Sequence, residues 1–148
     1  MTEVAFHFNA PDKIGYACRL LRKAVASGAR AVVTGDDAML RELDGALWTF
    51  SPQAFIPHCR LDDDPALVAA SPVLLGAPAA APHHEVLVNL GLDLPDAFER
   101  YARLIEVVTT DAADRAAARV RWRHYADHGY ALLRHDLASG SPDPMQSP

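Results

Sequence analysis

Cysteine is scarce in this chain. Cys18 and Cys59 are the two in 148 residues, and their spacing fits neither a zinc ribbon nor a redox pair, so reduced thiols are the default and a disulfide the lesser alternative. Long apolar runs are missing too. None approaches the roughly 18 to 20 residues needed to span a bilayer, and the N-terminus has no basic region followed by an apolar stretch. The expectation is a cytoplasmic protein with no membrane partner. Positive charge is in the minority, with 14 Lys and Arg against 19 Asp and Glu and a net charge of −5. That excludes a broad basic surface for non-specific nucleic-acid binding, so any contact with DNA is local or mainly indirect. There is no internal repeat.

Recognisable catalytic signatures are also missing. The first strand-to-helix turn reads Asn9-Ala10-Pro11-Asp12-Lys13, with neither the dinucleotide glycines nor a phosphate-cradling GK[ST] loop. The seven histidines make no metal-ligand spacing with a cysteine. His124 and His128 are one helical turn apart but have no third ligand in view, so no metal and no cofactor is expected. No nucleophile elbow is present, which disfavours hydrolase chemistry. The Gly35-Asp36-Asp37 turn could hold magnesium or a phosphorylated carboxylate. With no partner lysine or third acid to place beside it, helix capping is the stronger reading.

What is present is a globular composition. Half of the residues are apolar and the eleven prolines gather in loops and in the tail, so one domain with a core of its own is expected. Val4 to Phe8 reads as a strand and Lys13 to Ser27 as a helix ended by Gly28. Arg30 to Thr34 is a buried strand, and a second helix runs through Met39, Leu40, Leu43, Leu47 and Trp48. Asp62, Asp63 and Asp64 cap a short helix at Pro65. Pro72 to Leu75 and Glu85 to Leu90 read as strands, Pro95 to Leu104 as a helix, and Ile105 to Thr109 as the last strand. This order calls for an α/β domain with a mainly parallel sheet and crossover helices, spanning 1–135, with 136–148 as a flexible tail. Trp48, Phe50, Phe55 and Ile56 lie close together beside two prolines, either tucked into the core or forming an exposed patch that marks a partner site.

One stretch stands apart. Asp111 to Tyr130, DAADRAAARVRWRHYADHGY, holds four Arg and three Asp, about +1 in a chain that is −6 elsewhere. Asp111 is a suitable N-cap and Gly129 a suitable stop, so a helix of four to five turns is expected. At about 100° per residue, Arg115, Arg119 and Trp122 fall within roughly 60° of one another, with Arg123 at the edge of the sector and Ala113, Ala117, Val120 and His124 opposite. The wheel therefore assigns one face to gripping and the other to packing. The plainer alternative is a solvated face whose arginines snorkel and whose Trp covers a core edge. Arg and Trp are, however, the residue types that dominate interface hot spots. Guanidinium forks suit carboxylates or phosphates, and an indole offers an apolar wall beside them, so the complementary ligand is acidic with an apolar or aromatic anchor.

Three segments carry a family resemblance: Leu43-Asp44-Gly45-Ala46-Leu47-Trp48 followed by Ala54-Phe55-Ile56-Pro57-His58; the strand Val86 to Leu90; and Arg121-Trp122-Arg123-His124-Tyr125 through Gly129-Tyr130. With them, nearly the whole chain resembles the chi subunit family of bacterial DNA polymerase III, an accessory protein of the clamp-loader complex. The resemblance implies a non-catalytic, three-layer Rossmann-like α/β fold without a phosphate-binding loop. It implies that the C-terminal helix binds the acidic, Phe-ending tail of single-stranded DNA-binding protein (SSB). The family's basic positions on that helix fall on Arg115, Arg119 and Arg123 and its aromatic on Trp122, with Arg and Trp standing where the family commonly has Lys and Tyr. It also implies a second surface, around Trp48 and Phe55, for the psi subunit or a helicase-like partner. A second departure is the Ala- and Pro-rich stretch from Ala66 to Pro82. Two readings compete with this one: a small α/β nucleotide-binding protein or enzyme using the Gly35-Asp36-Asp37 turn, and direct single-stranded DNA binding by the Arg and Trp face.

Overall fold

The structure, a computed structural model, describes residues 1–49 and 56–139. Its centre is a seven-stranded sheet in the order β3-β4-β2-β5-β6-β1-β7. The strands are β1 (Glu3–Ala10), β2 (Ala31–Thr34), β3 (His58–Arg60), β4 (Val73–Leu75), β5 (Val86–Asn89), β6 (Arg103–Thr109) and β7 (Leu132–Asp136). Every neighbouring pair is parallel, so the sheet is covered on both faces, as parallel sheets require. The expected α/β, Rossmann-like architecture is observed.

Side-chain alternation divides the core in two. Ala31 and Val33 of β2 face one layer, where α1 (Lys13–Ala26) and α2 (Asp37–Thr49) bury Ala17, Leu20, Leu21, Leu40, Leu43 and Leu47. Val32, between them, faces the other layer with Val4, Phe6, Leu74, Leu87 and Leu104. There α3 (Pro65–Ala70) and α4 (Ala112–Asp127) close the face through Val68, Ala118 and Tyr125. Caps fix the helix starts. Asp12 accepts from Gly15 N at 2.8 Å, Asp36 from Met39 N at 2.8 Å, Asp64 from Ala66 N at 3.0 Å and Asp111 from Asp114 N at 3.1 Å. Gly28 and Gly129, just past α1 and α4, have φ of 83° and 79°, where a Cβ is disfavoured. Both cysteines are buried and free. Among the described residues no helix is long and apolar enough to cross a membrane.

Four expectations change. The helix expected over Pro95 to Leu104 is a single 3-10 turn, Phe98–Arg100. β6 begins at Arg103 to pair with Glu3 and Val86, which leaves too little chain for a helix. The Thr2 hydroxyl donates to the Tyr101 carbonyl at 2.6 Å and pins the crossover. β3 adds an edge strand that was not expected at His58. Ile105 to Thr109 is not the last strand, because β7 follows α4 and pairs with β1 through Phe8 and Asp136. Asp136 is the last residue of β7, and the chain continues into a 3-10 turn at Leu137–Ser139. Finally, α4 packs through Asp114, Ala118, Arg121 and Tyr125, not through the stripe the wheel had assigned to packing. Val120 of that stripe is 66% exposed. The cause is a set of buried polar side chains that an apolar wheel cannot register.

Candidate functional site

The buried polar groups of α4 explain its seating. Glu106 on β6 is wholly buried. Its carboxylate accepts from Asn89 Nδ2 at 2.8 Å, Arg121 Nε at 3.1 Å and the Tyr125 hydroxyl at 2.5 Å. Arg121 Nη1 also donates to the Leu92 carbonyl at 2.6 Å. Burial pushes the Glu106 carboxyl above its usual range, opposed first by the Arg121 guanidinium and then by the hydrogen bonds from Tyr125, Asn89 and Arg121. At the start of the helix, Asp114 takes Lys13 Nζ at 2.8 Å and the Thr109 amide and hydroxyl at 2.8 and 2.9 Å. Burial raises the Asp114 carboxyl, but these donors together hold it below its usual value. Two ionic anchors thus fix α4 against β5, β6 and α1.

With Asp114, Ala118, Arg121 and Tyr125 turned inward, Arg115, Arg119 and Trp122 lie roughly a quarter turn away, at the flank where helix, sheet and solvent meet. There they line a cleft of about 310 Å³ with Phe6, Phe8, Asn9, Val108, Thr109, Ala118 and Arg134. Trp122 packs edge-on against Phe6, with ring centroids 5.1 Å apart, and is half-buried. The Arg134 guanidinium lies 5.0 Å from the centroid of Phe8 and 5.9 Å from that of Trp122. Arg115, Arg119 and Arg134 are exposed, and among the described residues none has a carboxylate within ion-pair distance. The result is an aromatic floor bordered by three arginines, of which Arg134 also helps hold the neighbouring Asp136 carboxyl low, after the hydrogen bonds from Asn9 and the Ala138 amide.

Of the four residues expected on this face, Arg115, Arg119 and Trp122 come together. Arg123 is exposed and does not line the cleft. Phe6, Phe8 and Arg134 were not singled out from the sequence, because the opposite wall depends on β7 and on the end of β1. Asn9 has φ of 62° at a register shift in the β1–β6 pairing, and its amide donates to Asp136 at 2.8 Å. An Asn in the left-handed region within a strand-like run is the local signal of such an irregularity.

Trp48 is 61% exposed at the end of α2, against the His58 ring at 5.2 Å. Ile56 is core, while Phe50 and Phe55 lie outside the described residues. The Gly35-Asp36-Asp37 turn is engaged within the fold: Asp36 caps α2, and Asp37 pairs with Arg41 and, at 2.8 Å, with Arg60. The N-terminus of α1, where a nucleotide phosphate would rest in a dinucleotide-binding fold, carries the Asp12 carboxylate. Among the described residues no three His, Cys, Asp or Glu side chains gather as metal ligands. His124 and His128 stack with centroids 4.1 Å apart, and His128 Nδ1 lies 2.8 Å from the His124 carbonyl.

Residues 1–133 match the family model described as DNA polymerase III chi subunit, HolC. The chain belongs to this family. It is 36% identical over 143 residues to a Pseudomonas aeruginosa protein named DNA polymerase III subunit chi, covering 93% of this chain and 98% of that relative. A Haemophilus influenzae protein of the same name is 24% identical over 117 residues, covering 78% of this chain and 81% of the relative. The chi subunit family reaches across both anchors of α4 and across the three α4 residues of the cleft.

Proposed function

We propose that the protein is a non-catalytic adaptor of the DNA polymerase III holoenzyme, linking its clamp-loader complex to SSB-coated template during replication. The observation that carries this reading is the cleft of Arg115, Arg119, Trp122 and Arg134 over Phe6 and Phe8, three arginines around an aromatic floor. An acidic tail ending in Phe is complementary to it in charge and in shape of contact. Arg123 contributes from the exposed rim. Part of the contact is exposed ion pairing, so binding weakens as salt rises.

Arg119→Glu reverses one cation at an exposed position and should abolish binding of an acidic, Phe-ending tail peptide in calorimetry while leaving the melting temperature unchanged. Unaltered affinity would overturn the assignment. Deleting the terminal Phe from SSB separates tail binding from direct DNA binding, since a DNA site would not register the deletion.

Trp48 marks a second surface, which on this reading receives the psi subunit or a helicase-like partner. A 61% exposed indole at a helix end is the kind of anchor that partner interfaces use. Trp48→Ser should lose that partner in co-purification and keep tail-peptide affinity within about twofold, because contacts at separate sites act independently.

A further inference from the structure

The Gly35-Asp36-Asp37 turn borders a crevice of about 530 Å³ that shares no lining residue with the α4 cleft. The topology opens it. β2 and β5 are neighbours in the sheet, but β2 leads into α2 on one face, while β5 leads into the crossover whose Phe98 and Tyr101 pack on the other. Connections that part in this way leave an opening beyond the carboxyl ends of their strands, where open α/β sheets bind their ligands. Gly35 and Gly91 follow those two strands, and a Cβ on Gly91 would lie 3.6 Å from Gly35 Cα. On one rim the 91–96 loop is held from within. The Gly91 amide donates to Asn89 Oδ1 at 2.9 Å, and the Leu92 and Asp93 carbonyls accept from Arg121 Nη1 at 2.6 Å and Asn89 Nδ2 at 3.1 Å. With its backbone bonded inward, the loop shows its side chains to solvent. Leu92 is 54% and Leu94 40% exposed. Asp93 and Asp96 are exposed, and among the described residues neither has a cation within ion-pair distance.

Four acidic residues line this crevice, Asp36, Asp37, Asp93 and Asp96, against one basic residue, Arg60, which is already bonded to Asp37 at 2.8 Å. That balance repels a nucleotide or any other anion. Among the described residues no three His, Cys, Asp or Glu side chains gather as metal ligands. We propose that the crevice is a docking site for a basic, aliphatic-bearing segment of a partner protein, which lies along the 91–96 loop with its Lys or Arg on Asp93 and Asp96 and an aliphatic side chain on Leu92 and Leu94. Charge complementarity and the exposed leucine pair select this occupant together. A small cation would pair with the carboxylates and leave both leucines in water, and an apolar segment would leave the carboxylates without partners. The site is separate from the tail cleft and takes a ligand of opposite charge, so the chain holds an acidic partner beside α4 and a basic one beyond the ends of β2 and β5.

The test titrates the isotope-labelled full chain with two end-blocked synthetic peptides, Arg-Leu-Arg-Leu-Arg and Glu-Leu-Glu-Leu-Glu, and follows the backbone amide shifts. The basic peptide should bind saturably with its shifts centred on residues 91–96, and the acidic one should leave those amides unmoved. Asp93→Arg combined with Asp96→Arg should weaken the basic peptide by about tenfold, the product of two exposed ion pairs of about threefold each. Leu92→Ser combined with Leu94→Ser should weaken it at high salt as well as at low salt, since screening acts on the charges and not on the apolar contact. Arg119→Glu, in the other cleft, should leave this peptide's affinity unchanged, so failure of the tail assignment and failure of this one are read separately. Shifts that do not saturate or that scatter over other acidic surfaces would overturn the proposal, as would unaltered affinity in the Asp93→Arg, Asp96→Arg variant. Spermidine binding as tightly as the peptide would reduce the crevice to a simple cation site, and magnesium ATP moving the same amides would make it a nucleotide site; either result refutes the docking of a basic segment.

Discussion

Replacing Arg121 by methionine is the sharpest test of how α4 is held. The substitution keeps an apolar stem of similar length and removes the guanidinium that is 1% exposed and donates to Glu106 at 3.1 Å and to the Leu92 carbonyl at 2.6 Å. Glu106, wholly buried, keeps Asn89 and Tyr125 as donors but loses its counter-charge. Breaking a buried pair on one side costs about 3–5 kcal/mol because a buried charge is left uncompensated, against a total stability of about 5–15 kcal/mol. With a urea dependence of about 2 kcal/mol per molar, the unfolding midpoint should fall by about 2 M. The pH dependence has a definite sign. Burial already raises the Glu106 carboxyl, and without Arg121 it rises further. The folded state then holds the proton more tightly than the unfolded one, so stability increases as pH falls and the deficit of Arg121→Met shrinks between pH 8 and pH 5. Glu106→Gln combined with Arg121→Met removes both charges and should be more stable than the sum of the single deficits implies, by about 1–3 kcal/mol. An Arg121→Met midpoint within about 0.5 M of wild type, corresponding to about 1 kcal/mol, or strict additivity in the double variant, would refute the reasoning.

Three other outcomes follow from the same geometry. Asp114→Asn leaves Lys13 without its carboxylate and weakens two Thr109 hydrogen bonds, which should cost about 2–3 kcal/mol in chemical denaturation. In the wild type the contribution of Asp114, whose carboxyl is held low, is present above the ordinary aspartate range and disappears as pH falls through it. His7 is wholly buried, 2.6 Å from the Tyr16 hydroxyl. Burial first, then the neighbouring His135 and Arg103, depress its imidazole to about 3. The unfolded chain therefore takes up a proton that the folded chain refuses between about pH 6.5 and 3, and stability should fall on acidification there by up to about 1.4 kcal/mol per pH unit. His7→Gln should flatten this slope, as read from urea midpoints at successive pH values. Asp111→Ala removes the cap on α4 and should lower stability by about 1 kcal/mol with tail-peptide affinity retained.

The strands that were legible in the sequence are those buried on both faces. Val86–Asn89 and Ala31–Thr34 are continuous β-branched and aliphatic runs bounded by breakers, and a central parallel strand leaves no other use for such a run. β7 shows little of this signal, because at an edge only His135 of its five residues is buried. The 3-10 crossover at Phe98–Arg100 was misread for a different reason. Its apolar spacing suits a helix, but Phe98 and Tyr101 are buried through tertiary contacts, including the Tyr101 hydroxyl on the Pro78 carbonyl at 2.8 Å. The part of the site carried by one helix could be read, and the wall that depends on β7 could not.

On the basic helix the wheel groups Arg115, Arg119 and Trp122, which the structure brings together, but misplaces the packing face. A hydrophobic wheel assumes that the inward face is apolar, and on α4 the inward residues are Asp114, Ala118, Arg121 and Tyr125. Three of these four are polar, each bonded to a partner on another element, so the wheel turned the helix the wrong way about its axis. Arg115, Arg119 and Trp122 were nevertheless grouped correctly, since residues within one sector stay neighbours however the helix is rotated. Rotation changes what they neighbour. Had Ala113, Ala117 and Val120 packed inward, the arginines would point straight into solvent and Trp122 would stand alone. With Arg121 and Tyr125 drawn in by Glu106, the same arginines border the sheet, and Trp122 meets Phe6. The buried ionic network thus decides whether α4 presents a charged face or one wall of a cleft.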